Sequence, residues 1–147
     1  MRAIIQRVNK AEVIEKNNKK MVGKINYGLM ILLGIKKGDS IKEADYLIEK
    51  ISKLRIMSDE NNKMNLSIMD VKGEILLISQ FTLYGETKGQ NRPSFINAEE
   101  PDKAKQLYEY FIKNLREKGI IVEKGSFGNY MEINSVLDGP VTIILEK

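Results

Sequence analysis

The chain is expected to fold as an α+β domain, a mostly antiparallel sheet with two helices on one face. Three observations lead there. Two stretches, opening at Ser40 and at Pro101, carry apolar residues at helical spacing. Short runs rich in Ile, Val and Leu lie before, between and after them. The order is two or three strands, helix, strand, helix, then several strands. At 147 residues, without an internal repeat or a linker, the sequence reads as a single domain, 1–147.

Taken in order, Ala3–Val8 and Ala11–Ile14 read as strand, with Asn9-Lys10 a bend or bulge between them. Lys16–Lys20 is a polar turn and Met21–Ile25 a short returning strand. Asn26-Tyr27-Gly28 turns the chain into Leu29–Leu33, an apolar run that ends at Gly34. Ser40 followed by Glu43 makes a capping box. Ile41, Ala44, Leu47, Ile48, Ile51 and Leu54 then form one stripe, and Lys50 and Lys53 complement the helix dipole in the later turns. Asn65–Ile68 is a short element before Lys72-Gly73. Pro101 takes the favoured first position of the second helix. The buried stripe there is Ala104, Leu107, Tyr108, Phe111, Ile112 and Leu115, and Gly119 is a natural stop. Ile120–Glu123 and Met131–Val136 are strands, Leu137–Pro140 interrupts, and Val141–Leu145 closes the sheet.

Composition narrows the chemistry. The chain has no histidine and no cysteine. Ser-His-Asp and Cys-His catalysis are therefore excluded, and a zinc site would lack its usual ligands. No metal and no cofactor are expected. Any reaction must draw on hydroxyls, carboxylates, lysines, main-chain groups or the substrate itself. A net charge of +4 permits an anionic partner, but Lys and Glu are interleaved, unlike the dense basic stripe of a duplex binder. No apolar run approaches the ~20 residues of a membrane span. Arg7 falls too early for a signal-peptide core, so the N-terminus reads as the first strand and the cytoplasm as the default location.

The stretch richest in chemical possibility is Ile75–Tyr84. Ile75–Ile78 suits a strand covered on both faces, and Ser79, Gln80 and Thr82 then bring two hydroxyls and an amide to its end. Two readings stand: the polar end of a core strand, or ligand-meeting groups held by a rigid element. Gly85–Ser94, with Lys88 and Arg92, is either a solvated loop or one that touches phosphates. Asp138-Gly139-Pro140 lies where proline is tolerated only at an edge, a strand start or a bulge.

These pieces occur in a telling order: Gln6-Arg7-Val8, Ser79-Gln-Phe-Thr-Leu83, Arg92-Pro-Ser-Phe95, Gly125-Ser-Phe-Gly128 with Met131, and Asp138-Gly-Pro-Val-Thr142. Together they resemble the D-aminoacyl-tRNA deacylase family, chiral proofreading hydrolases, from Met1 to about Leu145. Leu137 departs from the family's usual Asn. The basic loop, Thr87–Arg92, also differs slightly in spacing.

The resemblance implies a two-fold homodimer with a β-barrel-like interface and a site built from both chains. The strand end bearing Ser79, Gln80, Phe81 and Thr82 would meet the partner's Gly-Pro turn, whose peptide bond is cis in the family. Gly139 and Pro140 would aim main-chain oxygens at the substrate's α-carbon, with Arg7 fixing the turn. Phe127 and Met131 would sandwich the terminal adenine of the tRNA 3′ end. The implied reaction is hydrolysis of the ester of D-aminoacyl-tRNA, with glycyl-tRNA a further candidate. Main-chain N–H groups near Gln80 and Phe81 would hold the oxyanion, and Thr82 reads as a positioning residue rather than a nucleophile, since no base serves it. A non-catalytic RNA-end or protein-binding module on the same scaffold is the alternative.

Overall fold

The computed structural model describes residues 1–147. Strand β1 (Arg2–Glu15) is followed by β2 (Lys20–Ile25), β3 (Gly28–Gly34), helix α1 (Ile41–Lys53), the short strands β4 (Met57–Ser58) and β5 (Met64–Leu66), then β6 (Glu74–Ser79). A single 3-10 turn, Phe81–Tyr84, precedes helix α2 (Pro101–Glu117), β7 (Ile121–Lys124) and β8 (Met131–Glu146). The main sheet runs β2-β1-β3-β6-β7, with β8 along the other edge of β1.

The sheet is mixed, not mostly antiparallel. β1 pairs antiparallel with β2, β3 and β8, whereas β3–β6 and β6–β7 are parallel. The reason lies in the connections. α1 lies between β3 and β6 and α2 between β6 and β7, and a crossover through a helix returns the next strand in the same direction. The continuous apolar run of β6 fits this setting: Ile75, Leu76, Leu77 and Ile78 are all fully buried.

Two cores result. The larger joins both helices to one face of the sheet through Ala44, Leu47, Ile48 and Ile51 of α1 and Leu107, Tyr108, Phe111, Ile112 and Leu115 of α2. The smaller lies on the opposite face and comprises Val8, Ala11, Val13, Ile25, Met30, Leu76 and Ile78. The sheet closes over it by curling until β2 reaches β7. There, a Cβ on Gly23 would stand 2.6 Å from the Lys124 carbonyl oxygen, so only glycine permits the approach.

α1 begins as expected, with Ser40 and Glu43 completing the capping box. Ile41 lies outside its buried stripe, 51% exposed, because it occupies the first turn ahead of the face that meets the sheet. Leu54 is only half-buried, at the cap. β8 departs more. It runs unbroken from Met131 to Glu146, so Leu137–Pro140 does not end a strand. Instead the pairing with β1 shifts on either side of Val8, and the extra residues are absorbed as a bulge.

The exit of β3 is stapled to the start of α2. Lys37 N–H donates to the Asn97 carbonyl, and Glu99 N–H to that of Ile35. The Glu99 carboxylate accepts from Lys103 at 2.7 Å, from the Glu100 amide at 3.0 Å and from the Gly38 amide at 3.1 Å. The Lys103 ammonium foremost holds this carboxyl down to about 2. A depressed carboxyl pKa gives stability that is present above the ordinary value and lost below it. Glu99→Gln is therefore expected to unfold more readily than the parent near neutral pH. The gap should close as pH falls from about 4.5 towards about 2, read from denaturant midpoints across that range.

Candidate functional site

β3, β6 and β7 run parallel, so their carboxyl ends, Gly34, Ser79 and Lys124, lie at one edge of the sheet. That edge is where open parallel sheets place ligands. Gln80 leaves β6 with its N–H bonded to the Leu33 carbonyl at 2.8 Å. The chain then tightens at once into the turn Phe81–Tyr84, closed by Leu83 N–H to the Gln80 carbonyl and Gly85 N–H to that of Thr82. Beneath it passes Gly34. A Cβ there would stand 3.0 Å from Leu83 Cβ and 3.2 Å from the Gln80 oxygen, so the turn sits flush on β3. Arg2 pins it from the side, donating to the Leu83 carbonyl at 2.6 Å with its guanidinium 5.1 Å from the centre of the Tyr84 ring.

The amides of Phe81 and Thr82, first in the turn, have no acceptor within the chain. The Gln80 N–H, by contrast, is already committed to the Leu33 carbonyl of β3. Thr82 Oγ1 accepts from Gln80 Nε2 at 2.5 Å. An amide N–H is no base, and no titratable group bonds this hydroxyl. Phe81 is 57% exposed and meets Phe95 edge to face at 5.0 Å. Lys88 and Arg92, in the loop between them, have exposed side chains that make no ion pair.

Phe127 and Met131 flank the turn that follows β7, which is tied to β6 by Gly125 N–H to the Leu77 carbonyl at 2.9 Å. The Phe127 ring leans on Tyr108, 5.6 Å between centres, and the Met131 sulfur accepts the Ser126 N–H. Both residues are half-buried.

Arg7, Gly139 and Pro140 form a separate cluster. The Gly139–Pro140 peptide bond is cis, and both residues are exposed. Arg7 is only 6% exposed, with Nε 2.7 Å from Asp138 Oδ2. Its Nη1 donates to the Ile56 carbonyl at 2.9 Å and to Ser58 Oγ at 3.0 Å. Leu137, in register with Val8, is 41% exposed. Strand register sets the two clusters apart. Ser79 stands level with Leu33, Ala3 and Leu145, whereas Arg7 is level with Leu29 and Ile75. Four residues along the strands and three strands across place Thr82 and Gly139 roughly 15–20 Å apart. One chain does not bring them together.

A surface recess lies elsewhere, between β1, β2 and β8, lined by Lys10, Glu12, Lys24 and Ile133–Val136. No three His, Cys, Asp or Glu side chains are placed to share an ion, and no helix is long and apolar enough to cross a membrane.

Residues 4–146 match the family described as D-Tyr-tRNA(Tyr) deacylase. The chain belongs to that family. A D-aminoacyl-tRNA deacylase of Thermosipho melanesiensis is 52% identical over 148 residues, spanning 100% of this chain and 97% of the relative. One of Syntrophomonas wolfei is 53% identical over 147 residues, with the same coverage. Among solved structures, a c-Myc DNA unwinding element binding protein is similar at TM-score 0.92 and 38% identity, covering 100% of this chain and 99% of that one. A probable eukaryotic D-amino acid tRNA deacylase, at TM-score 0.82 and 18% identity over 98% and 97% of the two chains, shares the fold.

The role of Asp138, Ser58 and the Ile56 carbonyl was not foreseen. Asp138 lies far from Arg7 along the chain, and Ser58 belongs to a polar loop with no periodicity to place it, so neither pairing has a signal in the sequence. Arg7→Ala would leave Asp138 without its partner and the Ile56 carbonyl without its donor. It is expected to cost about 2–4 kcal/mol, towards the lower end of the range for a broken buried pair because Asp138 is part-exposed. Urea unfolding would read it.

Proposed function

We propose that the protein hydrolyses the ester joining a D-amino acid to the 3′-terminal ribose of tRNA, in the cytoplasm, without metal or cofactor. The observation that carries this reading is the unpaired amides of Phe81 and Thr82 at the end of β6, in a chain about half identical to relatives named D-aminoacyl-tRNA deacylase. Water adds to the ester carbonyl and the two amides receive the negative oxygen. Collapse then breaks the acyl–oxygen bond, and the proton given up by the attacking water is relayed through the adjacent hydroxyl to the departing ribose oxygen. One such donor contributes on the order of 10²–10³ in rate, enough for an ester that is already activated. Thr82 positions: its oxygen is engaged by Gln80 and nothing bonded to it removes its proton.

Selectivity comes from a second copy of the chain. Gly139 and Pro140 lie too far from Thr82 to share a substrate within one chain, which supports a homodimer in which each turn enters the partner's site. Ile133, Val136, Leu137 and Ile144 of β8 are exposed apolar residues that a second copy would cover. Main-chain oxygens at the turn repel an L side chain and meet only hydrogen on a D-residue, whatever the amino acid. A glycyl ester has no side chain to repel and would also be cleared. Phe127 and Met131 hold the terminal adenine.

A binding module without catalysis is the second reading. It is favoured by the similarity to a protein named for binding a DNA element. Turnover of D- and L-tyrosyl-tRNA in the presence of chelator separates the two. Release of D-tyrosine alone is expected; tRNA binding without release would favour the module. In the same assay, Thr82→Ala is expected to keep measurable turnover, and abolition would point to a nucleophile. Gly34→Ala, which lifts the turn, should lower turnover roughly tenfold to a hundredfold.

A further inference from the structure

We propose that Ser58, the Ile56 carbonyl and Asp138 form a clamp that grips the Arg7 guanidinium and thereby sets the position of Gly139 and Pro140. On this inference Ser58 and Asp138 are positioning residues for D-selectivity. It rests on the reading that the Gly139–Pro140 turn discriminates between the hands of the substrate.

The sheet itself does not hold this turn. Val8 pairs with Leu137 and Gln6 with Thr142, so four residues of β8, Asp138–Val141, stand opposite Arg7 alone. Over that arch no ladder fixes the main chain. The Arg7–Asp138 ion pair is the side-chain link between the arch and β1. Whatever orients Arg7 therefore orients the arch.

Arg7 is gripped from the far side. Ile56 and Met57, 5% and 0% exposed, anchor the segment in the main core. Just beyond, Asp59 accepts from the Asn61 and Lys63 amides and from Asn65 Nδ2, which closes the β4–β5 hairpin as a rigid unit. Ser58 lies between anchor and hairpin, and its hydroxyl takes one Nη1 hydrogen while the Ile56 carbonyl takes the other. The guanidinium is hydrogen-bonded twice, both times at Nη1. Nε makes no hydrogen bond and only lies 2.7 Å from the Asp138 carboxylate, so the two Nη1 bonds together fix how the plane is turned. Its remaining nitrogen, Nη2, is bonded to nothing in the chain and would lie 3.5 Å from a Cβ on Gly139. The guanidinium face is thus the floor of the arch.

Gly139 leaves little slack on the other side. Its φ is +113°, and a Cβ there would come within 2.9 Å of Val141 Cγ2 and 3.0 Å of the Val141 nitrogen. Without Ser58, Nη1 loses one acceptor and the guanidinium can rotate about its remaining bonds, carrying Asp138 with it.

The test is the ratio of L- to D-tyrosyl-tRNA hydrolysis by the full chain, alongside melting temperature. Ser58→Ala should raise that ratio about tenfold or more, the size of a lost hydrogen bond to a charged group, while D-turnover changes little and the melting temperature falls only modestly. Ser58→Thr, which keeps the hydroxyl, should restore the parent ratio. Asp138→Asn should raise the ratio too, and the double variant should fall short of the product of the single effects, since both act through one guanidinium. A parent-like ratio in Ser58→Ala overturns the clamp. If Arg7→Lys or Gly139→Ala still raises the ratio, the clamp alone has failed. If neither does, the turn does not read handedness, and the clamp falls with that reading.

Discussion

Everything in this molecule follows from a six-residue strand that is apolar on both faces. β6 offers no solvent-facing side to the sheet, so both of its faces must be covered, and the structure covers them differently. On one, two amphipathic helices pack across β3, β6 and β7; on the other, the sheet folds back on itself until β2 meets β7. Each fully buried Leu or Ile contributes about 1.5–3 kcal/mol. The helices also serve as the crossovers that make β6 parallel to its neighbours. Parallel pairing is what gathers three carboxyl ends at one edge, and there the polar residues after β6 stand.

The reaction proposed for this edge makes modest demands, because its ester is already activated. No imidazole or thiolate is present in the chain to act as a strong base or nucleophile. The resources are fixed dipoles: two amides released by the first turn of a 3-10 segment and a threonine hydroxyl tethered by a neighbouring amide. Such groups stabilise developing charge without changing protonation state, and they cost no reorganisation when the reaction occurs. The turn is held by Gly34 beneath it, Leu33 behind it and Arg2 beside it, so its amides are aimed by main-chain packing.

Much of the architecture was legible because it rests on period and punctuation. Ser40 with Glu43, Pro101 and Gly119 mark helix ends through local hydrogen bonding, and the stripes at Leu47 and Phe111 face the core for reasons any helix obeys. The sheet's mixed character was less legible. Ile75–Ile78 did announce a strand buried on both faces, but the antiparallel hairpins around β1 suggested the wrong sense for its neighbours. Asp138–Pro140 looked like a break because proline and glycine usually end strands; only the pairing of Leu137 and Thr142 on either side reveals a bulge inside one. Ser58 was invisible, since its meaning depends on a guanidinium more than fifty residues away along the chain. The family motifs supplied the candidate site residues, but that the Gln80 amide is engaged while those of Phe81 and Thr82 are unpaired needed the Leu33 hydrogen bond to be seen.

The central claim is that a working site joins the Thr82 turn of one copy to the Gly139–Pro140 arch of another. The chain contains no cysteine, so labels can be placed cleanly. Thr82→Cys and Val141→Cys proteins, mixed, equilibrated and treated with a short bis-maleimide, provide the most direct measurement. Two-chain sites predict a covalent heterodimer containing both variants. A Thr82→Cys/Val141→Cys chain that links only to itself, with no cross-linked pair from the mixture, would contradict the account.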